Sequence, residues 1–147
     1  MLRTVGFVIA FLLGMVAVAA QQDQVKATQA VMKDNGKNAA ALAAIAKGEK
    51  PYDQAIVDAA MGQFEETVQK FPTLFPDSTK GLKPEGDYSP LPKVWEDRVG
   101  FNQQVTSFSK AVSDAKGKIK DVESLKATLP TISKQCGNCH ETYRIKT

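Results

Sequence analysis

Apolar and small residues recur at steps of three and four along four stretches of the chain. From Gln22 to about Gly48 they fall at Val25, Thr28, Met32, Ala39, Leu42 and Ile45, the spacing of one helix face. Gly36 interrupts this run at a cost of ~1 kcal/mol relative to alanine, and Gly48-Glu-Lys-Pro51 ends it. A second helix is predicted from about Tyr52 to Phe71, with Ile56, Ala60, Phe64, Val68 and Phe71 as its buried stripe. Phe71-Pro72 closes it, because a residue before proline is pushed out of helical geometry. The third runs from about Lys93 to Ala115 through Val94, Arg98, Phe101, Val105, Phe108, Val112 and Ala115, with Trp95 placed to cap the core. The fourth runs from Val122 to about Tyr143 through Leu125, Leu129, Ile132, Cys136 and Cys139. Pro130 predicts a kink or a restart in it, since proline removes a backbone donor and clashes with the preceding turn.

Between the second and third stretches lie Pro72, Pro76, Pro84, Pro90 and Pro92, with Gly81 and Gly86 among them. This is a long connection. Strand-like alternation and internal repeats are missing from the sequence. The pattern therefore predicts an all-α fold, a four-helix bundle whose long loop crosses from one end to the other between helices two and three. Periodicity alone leaves the topology open.

Ahead of these helices, Arg3 is the only charged side chain before Asp23, and an apolar run from Val5 to Ala20 follows it. A positive start, an apolar middle and small residues at the end form a secretory signal. Cleavage after Ala20 leaves Gln21 first. Cleavage after Ala19, the strict Ala-x-Ala match, leaves Ala20 first. The alternative, an uncleaved anchor, is disfavoured because the run is shorter than the ~20 residues a span prefers. The expected product is one domain, residues 21–147, exported and without a membrane span.

Composition narrows the function. Of 147 residues, 43% are hydrophobic and 24% charged, an ordinary globular balance. A net charge of +3 and 7% aromatics give no nucleic-acid footprint. Two cysteines exclude a disulfide-dense scaffold, and a single histidine excludes a multi-histidine metal site.

The chemistry lies in Cys136-Gly137-Asn138-Cys139-His140. This is Cys-x-x-Cys-His, the attachment signature of c-type haem. On a helix, positions 136, 139 and 140 share a face. Two thiols there can add to the two vinyl groups of a haem, and the adjacent imidazole can reach the iron. Three other readings are weaker. A thioredoxin-like dithiol needs a strand–helix context. A zinc site lacks its second ligand pair. A plain disulfide leaves His140 unexplained. On the other side of the iron, His140 being spent, the remaining soft donors are Met32 and Met61, because Met1 and Met15 leave with the signal. Met32 stands on the first helix's stripe and Met61 at the edge of the second's. For either, simple core filling is the competing role.

The segment Cys136-Gly-Asn-Cys-His-Glu-Thr-Tyr-Arg144 near the C-terminus, together with the proline-rich crossing, resembles class II c-type cytochromes, the cytochrome c′ group. The resemblance covers residues 21–147. It implies an antiparallel up-down-up-down four-helix bundle, for which cytochrome c′ is a standard example. It also implies one covalent haem c with its iron, attached through Cys136 and Cys139 and ligated by His140. The first-helix segment Thr28-Gln-Ala-Val-Met-Lys-Asp-Asn-Gly-Lys-Asn38 is most similar to the low-spin members, the cytochromes c-556. In those, a first-helix methionine ligates the iron, and Met32 is the matching position. Arg144 matches an arginine that the group places near the exposed side of the proximal histidine.

A centre closed by histidine and methionine binds substrate poorly and exchanges one electron readily, so the resemblance implies a periplasmic one-electron carrier rather than an enzyme. The alternative is a five-coordinate cytochrome c′ that binds NO or CO, with Met32 only packing on the ring. A peroxidase finds no distal histidine. Redox protein partners follow from electron transfer. Residues 116–147 carry seven basic and three acidic side chains, which could steer a partner with an acidic docking surface or form an ordinary solvated face. The alanine-rich segment from Asn38 to Ala46 could serve a homodimer or pack internally.

Overall fold

A computed structural model describes the backbone of residues 2–82 and 89–145, and the side chains from residue 21 onward within those ranges. Pro84 and Gly86 of the long loop lie outside the described residues. The described residues form five α-helices: α1 (Leu2–Ala46), α2 (Gln54–Leu74), α3 (Lys93–Glu96), α4 (Arg98–Ala115) and α5 (Val122–Tyr143). Among the described residues no strand forms, only an isolated bridge between Pro90 and Arg144. The long helices α1, α2, α4 and α5 make the bundle, with α1 packed on α2 and α5, and α4 packed on α5 and α2.

Local chemistry fixes most helix ends. The Asp53 carboxylate accepts from Ala55 N–H at 2.8 Å and starts α2. Asp121 and Ser124 form a reciprocal capping box at the start of α5, satisfying amides that have no partner within the helix. Gly48 turns the chain after α1 with φ 78° and Gly117 after α4 with φ 73°, a region open to glycine at no steric cost.

Several boundaries differ from the sequence pattern. The α1 helix is not begun at Gln22; its backbone is continuous from Leu2. Helix α2 does not stop at Phe71 but carries Pro72 inside it and ends at Leu74. Pro72 is exposed, so the carbonyl it leaves without a donor can turn to water. The same holds at Pro130, where α5 runs through without restarting, with Pro130 and Lys126 four residues before it both exposed. The third predicted helix is two, split at Asp97 with φ −121° and ψ 62°. The stripe of α2 is also rotated. Ile56 is 36% exposed, whereas Val57 and Met61 are buried.

The core has two parts. One gathers Leu42, Ile45, Val57, Ala60, Met61, Phe64, Phe108, Val112, Ala115, Ile119, Leu125, Leu129 and Ile132, with Ala39, Ala43 and Ala46 packed against it. The alanine-rich segment thus packs internally along one face. The second joins Val94, Phe101 and Tyr143, flanked by Phe71, Phe75, Trp95, Val105 and Cys139. Its rings meet edge-on, Phe101 with Tyr143 at 5.3 Å and with Phe75 at 5.2 Å between centroids, the arrangement aromatic quadrupoles favour.

Candidate haem site

Between these two parts lies a cavity of about 250 Å³, bordered mainly by apolar side chains. The α5 wall supplies Cys136, Cys139 and His140, one helical turn brought to one face, with Tyr143 and Arg144 following. To the same cavity α1 supplies Thr28, Met32, Asn35, Gly36 and Ala39, spaced three and four apart as one stripe. Gly36, a defect in the helical pattern, thus stands on the cavity wall. Phe64 and Phe71 of α2 and Phe101, Gln104, Val105 and Phe108 of α4 complete it. Cys136, Cys139, His140, Arg144 and Met32 therefore meet at one place. Met61 does not line the cavity; it is 7% exposed in the core beyond it.

The loop ends are tied to this wall. Leu91 N–H donates to the Tyr143 carbonyl at 2.8 Å and Ile145 N–H to the Ser89 carbonyl at 2.9 Å. Arg98 donates to the Phe75 carbonyl at 2.6 Å, and the Trp95 indole to the Pro76 carbonyl at 3.1 Å. The Thr28 hydroxyl donates to the Leu74 carbonyl at 2.7 Å, and Thr67 to Asn35 Oδ1 at 2.9 Å, so α1 is fastened to α2 on either side of Met32.

The break at Asp97 has its reason here. Asp97 Oδ1 accepts from Gly100 N–H at 2.9 Å and Oδ2 from the Tyr143 hydroxyl at 2.9 Å. A Cβ on residue 100 would collide with Asp97 Oδ2 and stand 2.6 Å from the Tyr143 oxygen. Glycine is the residue that fits. The Gly100 amide, then the Tyr143 hydroxyl, hold the Asp97 carboxyl below its ordinary range. Burial, then the bond to Asp97, pushes Tyr143 up to about 12.

Burial, with Arg144 as the lesser cause, lowers the pKa of His140 and so favours the neutral imidazole, the form that can ligate a metal. Burial raises Cys136 and, with Cys136 nearby, takes Cys139 to about 11. No disulfide joins Cys136 to Cys139. They lie within a helix, without the strand of a thioredoxin site. Among the described residues no group of three His, Cys, Asp or Glu comes together, so the pair does not complete a zinc site.

The donor set fits haem c. Two thiols and an imidazole from α5 and a thioether from α1 line one cavity, together with aromatic and aliphatic surface. A further sign is Gln104, whose Oε1 is buried with no hydrogen-bond partner. The sequence pattern passed over Gln104 and the Asp97–Tyr143 pair. A polar residue on the stripe between Phe101 and Phe108 was the signal for the first. The second joins residues 46 apart and left no local trace.

Comparison with known proteins agrees with this geometry. The family described as Cytochrome C′ matches residues 23–144. Cytochrome c-556 of Rhodopseudomonas palustris is 58% identical over 147 residues, covering 99% of each chain. Cytochrome c-555 of Bradyrhizobium diazoefficiens is 36% identical, again over 99% of both. An NMR-validated structure of oxidised R. palustris cytochrome c556 superposes with a TM-score of 0.76 at 59% identity, over 86% of this chain and 98% of that one.

Proposed function

This chain belongs to the cytochrome c′ family and carries covalent haem c with its iron, and we propose that within that family it is a low-spin periplasmic electron carrier whose iron is held between His140 and Met32. Its class, a haem protein of electron transfer or gas binding rather than an enzyme, follows from the family. The finer reading rests on one observation: Met32 lines the same cavity as Cys136, Cys139 and His140, whereas Met61 does not.

Haem c supplies reversible one-electron chemistry. In this reading Cys136 and Cys139 anchor the ring, and His140 presents a neutral nitrogen to the metal. Met32 closes the facing side against exogenous ligands. Methionine in that place raises the reduction potential relative to a second nitrogen. Asp97, Tyr143 and the Leu91 amide hold the last turn of α5, and hence the direction of His140. Arg144 sits at the cavity margin beside His140.

Export is supported by the signal-like pattern of residues 1–20, with cleavage after Ala20 or Ala19. Removing 20 of 147 residues leaves 127, in keeping with the 86% of this chain that the solved c556 relative spans. Among the described residues no helix is long and apolar enough to cross a membrane. Redox proteins are the partners of such a carrier. Lys116, Lys118, Lys120, Lys126 and Lys134 are exposed on and before α5, a surface suited to an acidic docking face.

The absorption spectrum of the reduced protein tests the ligation. Low-spin bands and weak CO binding at neutral pH are expected, and Met32→Ala should give a high-spin form that takes CO readily. A wild-type protein that is high-spin and binds CO would replace this reading with that of a five-coordinate, NO- or CO-binding cytochrome c′. An unchanged spectrum in Met32→Ala would remove Met32 from the iron.

A further inference from the structure

We propose that the Asp97 carboxylate is a fixed negative charge beside the cavity that lowers the reduction potential of haem c. One of its oxygens, Oδ1, accepts from the Gly100 amide at 2.9 Å and so caps α4. The other, Oδ2, accepts from the Tyr143 hydroxyl at 2.9 Å. Tyr143 is 5% exposed and lines the cavity three residues after His140. Its ring packs edge-on against Phe101, another lining residue, at 5.3 Å, and Cys139 packs on the same cluster. The carboxylate thus lies one phenol side chain away from the cavity.

Capping alone does not call for this arrangement. Asparagine and serine cap helices about as well as aspartate, and neither is ionised. The α4 dipole favours an anion at this end, but it does not require a bond from a buried phenol 46 residues away. The Gly100 amide and the Tyr143 hydroxyl, with Lys93 as a lesser cause, hold the carboxyl below its ordinary range. The charge is therefore present throughout the physiological pH range. Lys93 is exposed, and Arg98 is engaged by the Phe75 carbonyl and Asp77. Ferric iron carries one more positive charge than ferrous iron, so an anion beside it favours the oxidised state. Solvent on the exposed side of Asp97 weakens that field, whereas the apolar wall toward the cavity screens it less than water would.

This assignment rests on haem c occupying the cavity and is independent of whether Met32 ligates the iron. Spectroelectrochemical titration of the purified haem-loaded protein tests it, in wild type, Asp97→Asn and Tyr143→Phe. The Asp97→Asn carboxamide can still accept from the Gly100 amide and donate to the Tyr143 oxygen, so it removes the charge and keeps the bonds. At low salt it should raise the ratio of reduced to oxidised protein at fixed ambient potential about twofold or more, an upward shift of about 18 mV at ~59 mV per tenfold. Haem stoichiometry and spin state should match wild type. The shift should shrink at high ionic strength, because a partly exposed charge is screened. Tyr143→Phe, which keeps the charge, should move the potential less. An unchanged potential in Asp97→Asn overturns the proposal, as does a shift that salt leaves unaltered or that Tyr143→Phe reproduces in full. Should Asp97→Asn fail to accumulate, Asp97→Ser, another neutral cap, is measured in its place with the same expectations. Spin state reports on Met32 separately, so a high-spin wild type would sink the ligation reading and leave the comparison of potentials intact.

Discussion

The two ends of the bundle use the same helices and the same three-and-four spacing to different ends. At the closed end, Leu42, Ile45, Val57, Val112 and Leu125 are at most 1% exposed. Small residues such as Ala60 and Ala115 let the helices approach there, and the interior is filled by the protein's own side chains. Toward the other end, Phe71, Phe75, Phe101 and Tyr143 stand around a cavity, and polar side chains such as Asn35 and Gln104 enter the wall. A period of 3.6 shows which face is buried. It does not show whether side chains or a prosthetic group fill the space behind that face. Composition does: alanine and branched aliphatics at one end, rings, thiols and carboxamides at the other.

The contrast is broken most completely at the thiols. In Cys136→Ser/Cys139→Ser no haem should remain with the polypeptide after denaturation, checked by haem staining of the denatured protein. Fully retained stain would end the attachment reading. At the closed end, Leu42→Ala should cost about 2–5 kcal/mol of unfolding free energy and leave the visible spectrum unchanged, since Leu42 is buried in the core away from the cavity lining. Urea unfolding and absorption of the same sample separate the two effects. At the cavity end, Gly100→Ala forces a Cβ against Asp97 and Tyr143. A loss of about 1–3 kcal/mol is expected from such crowding, together with a disturbed haem spectrum.

The smallest effect sharpens the comparison through pH. The folded-state pKa of Asp97 is depressed below 3.8 by the Gly100 amide and the Tyr143 hydroxyl. A depressed carboxyl contributes stability above its unfolded pKa and loses it as pH falls through the folded value. The stability gap between wild type and Tyr143→Phe should therefore be largest near neutral pH and shrink below pH 3.8. A gap that is constant down to pH 2 would show that Tyr143 acts through packing alone.

The attachment motif was legible because its chemistry is local: Cys136, Cys139 and His140 share a helical turn whatever surrounds them. The extent of helix α5 was legible, since its three-and-four period runs from Val122 to Tyr143, but the break expected at Pro130 was not found. The face of α2 was not. Ile56 and Val57 are adjacent and equally apolar, and only the position of the partner helices selects Val57. The prolines misled in one direction, because Pro72 and Pro130 are tolerated where the carbonyl they release can meet water, and exposure is a property of the assembled bundle.

Sequence by itself determined the helices, the residues able to hold a haem, and the family whose signature they match, because period, thiol spacing and an adjacent imidazole are properties of a few neighbouring residues. Tertiary structure decided the rest. It set Met32 rather than Met61 on the cavity wall, broke a helix at Asp97 to meet a hydroxyl 46 residues away, and left the buried Gln104 Oε1 without a hydrogen-bond partner. Each of these depends on how separate helices pack, and packing geometry is not written in any one of them.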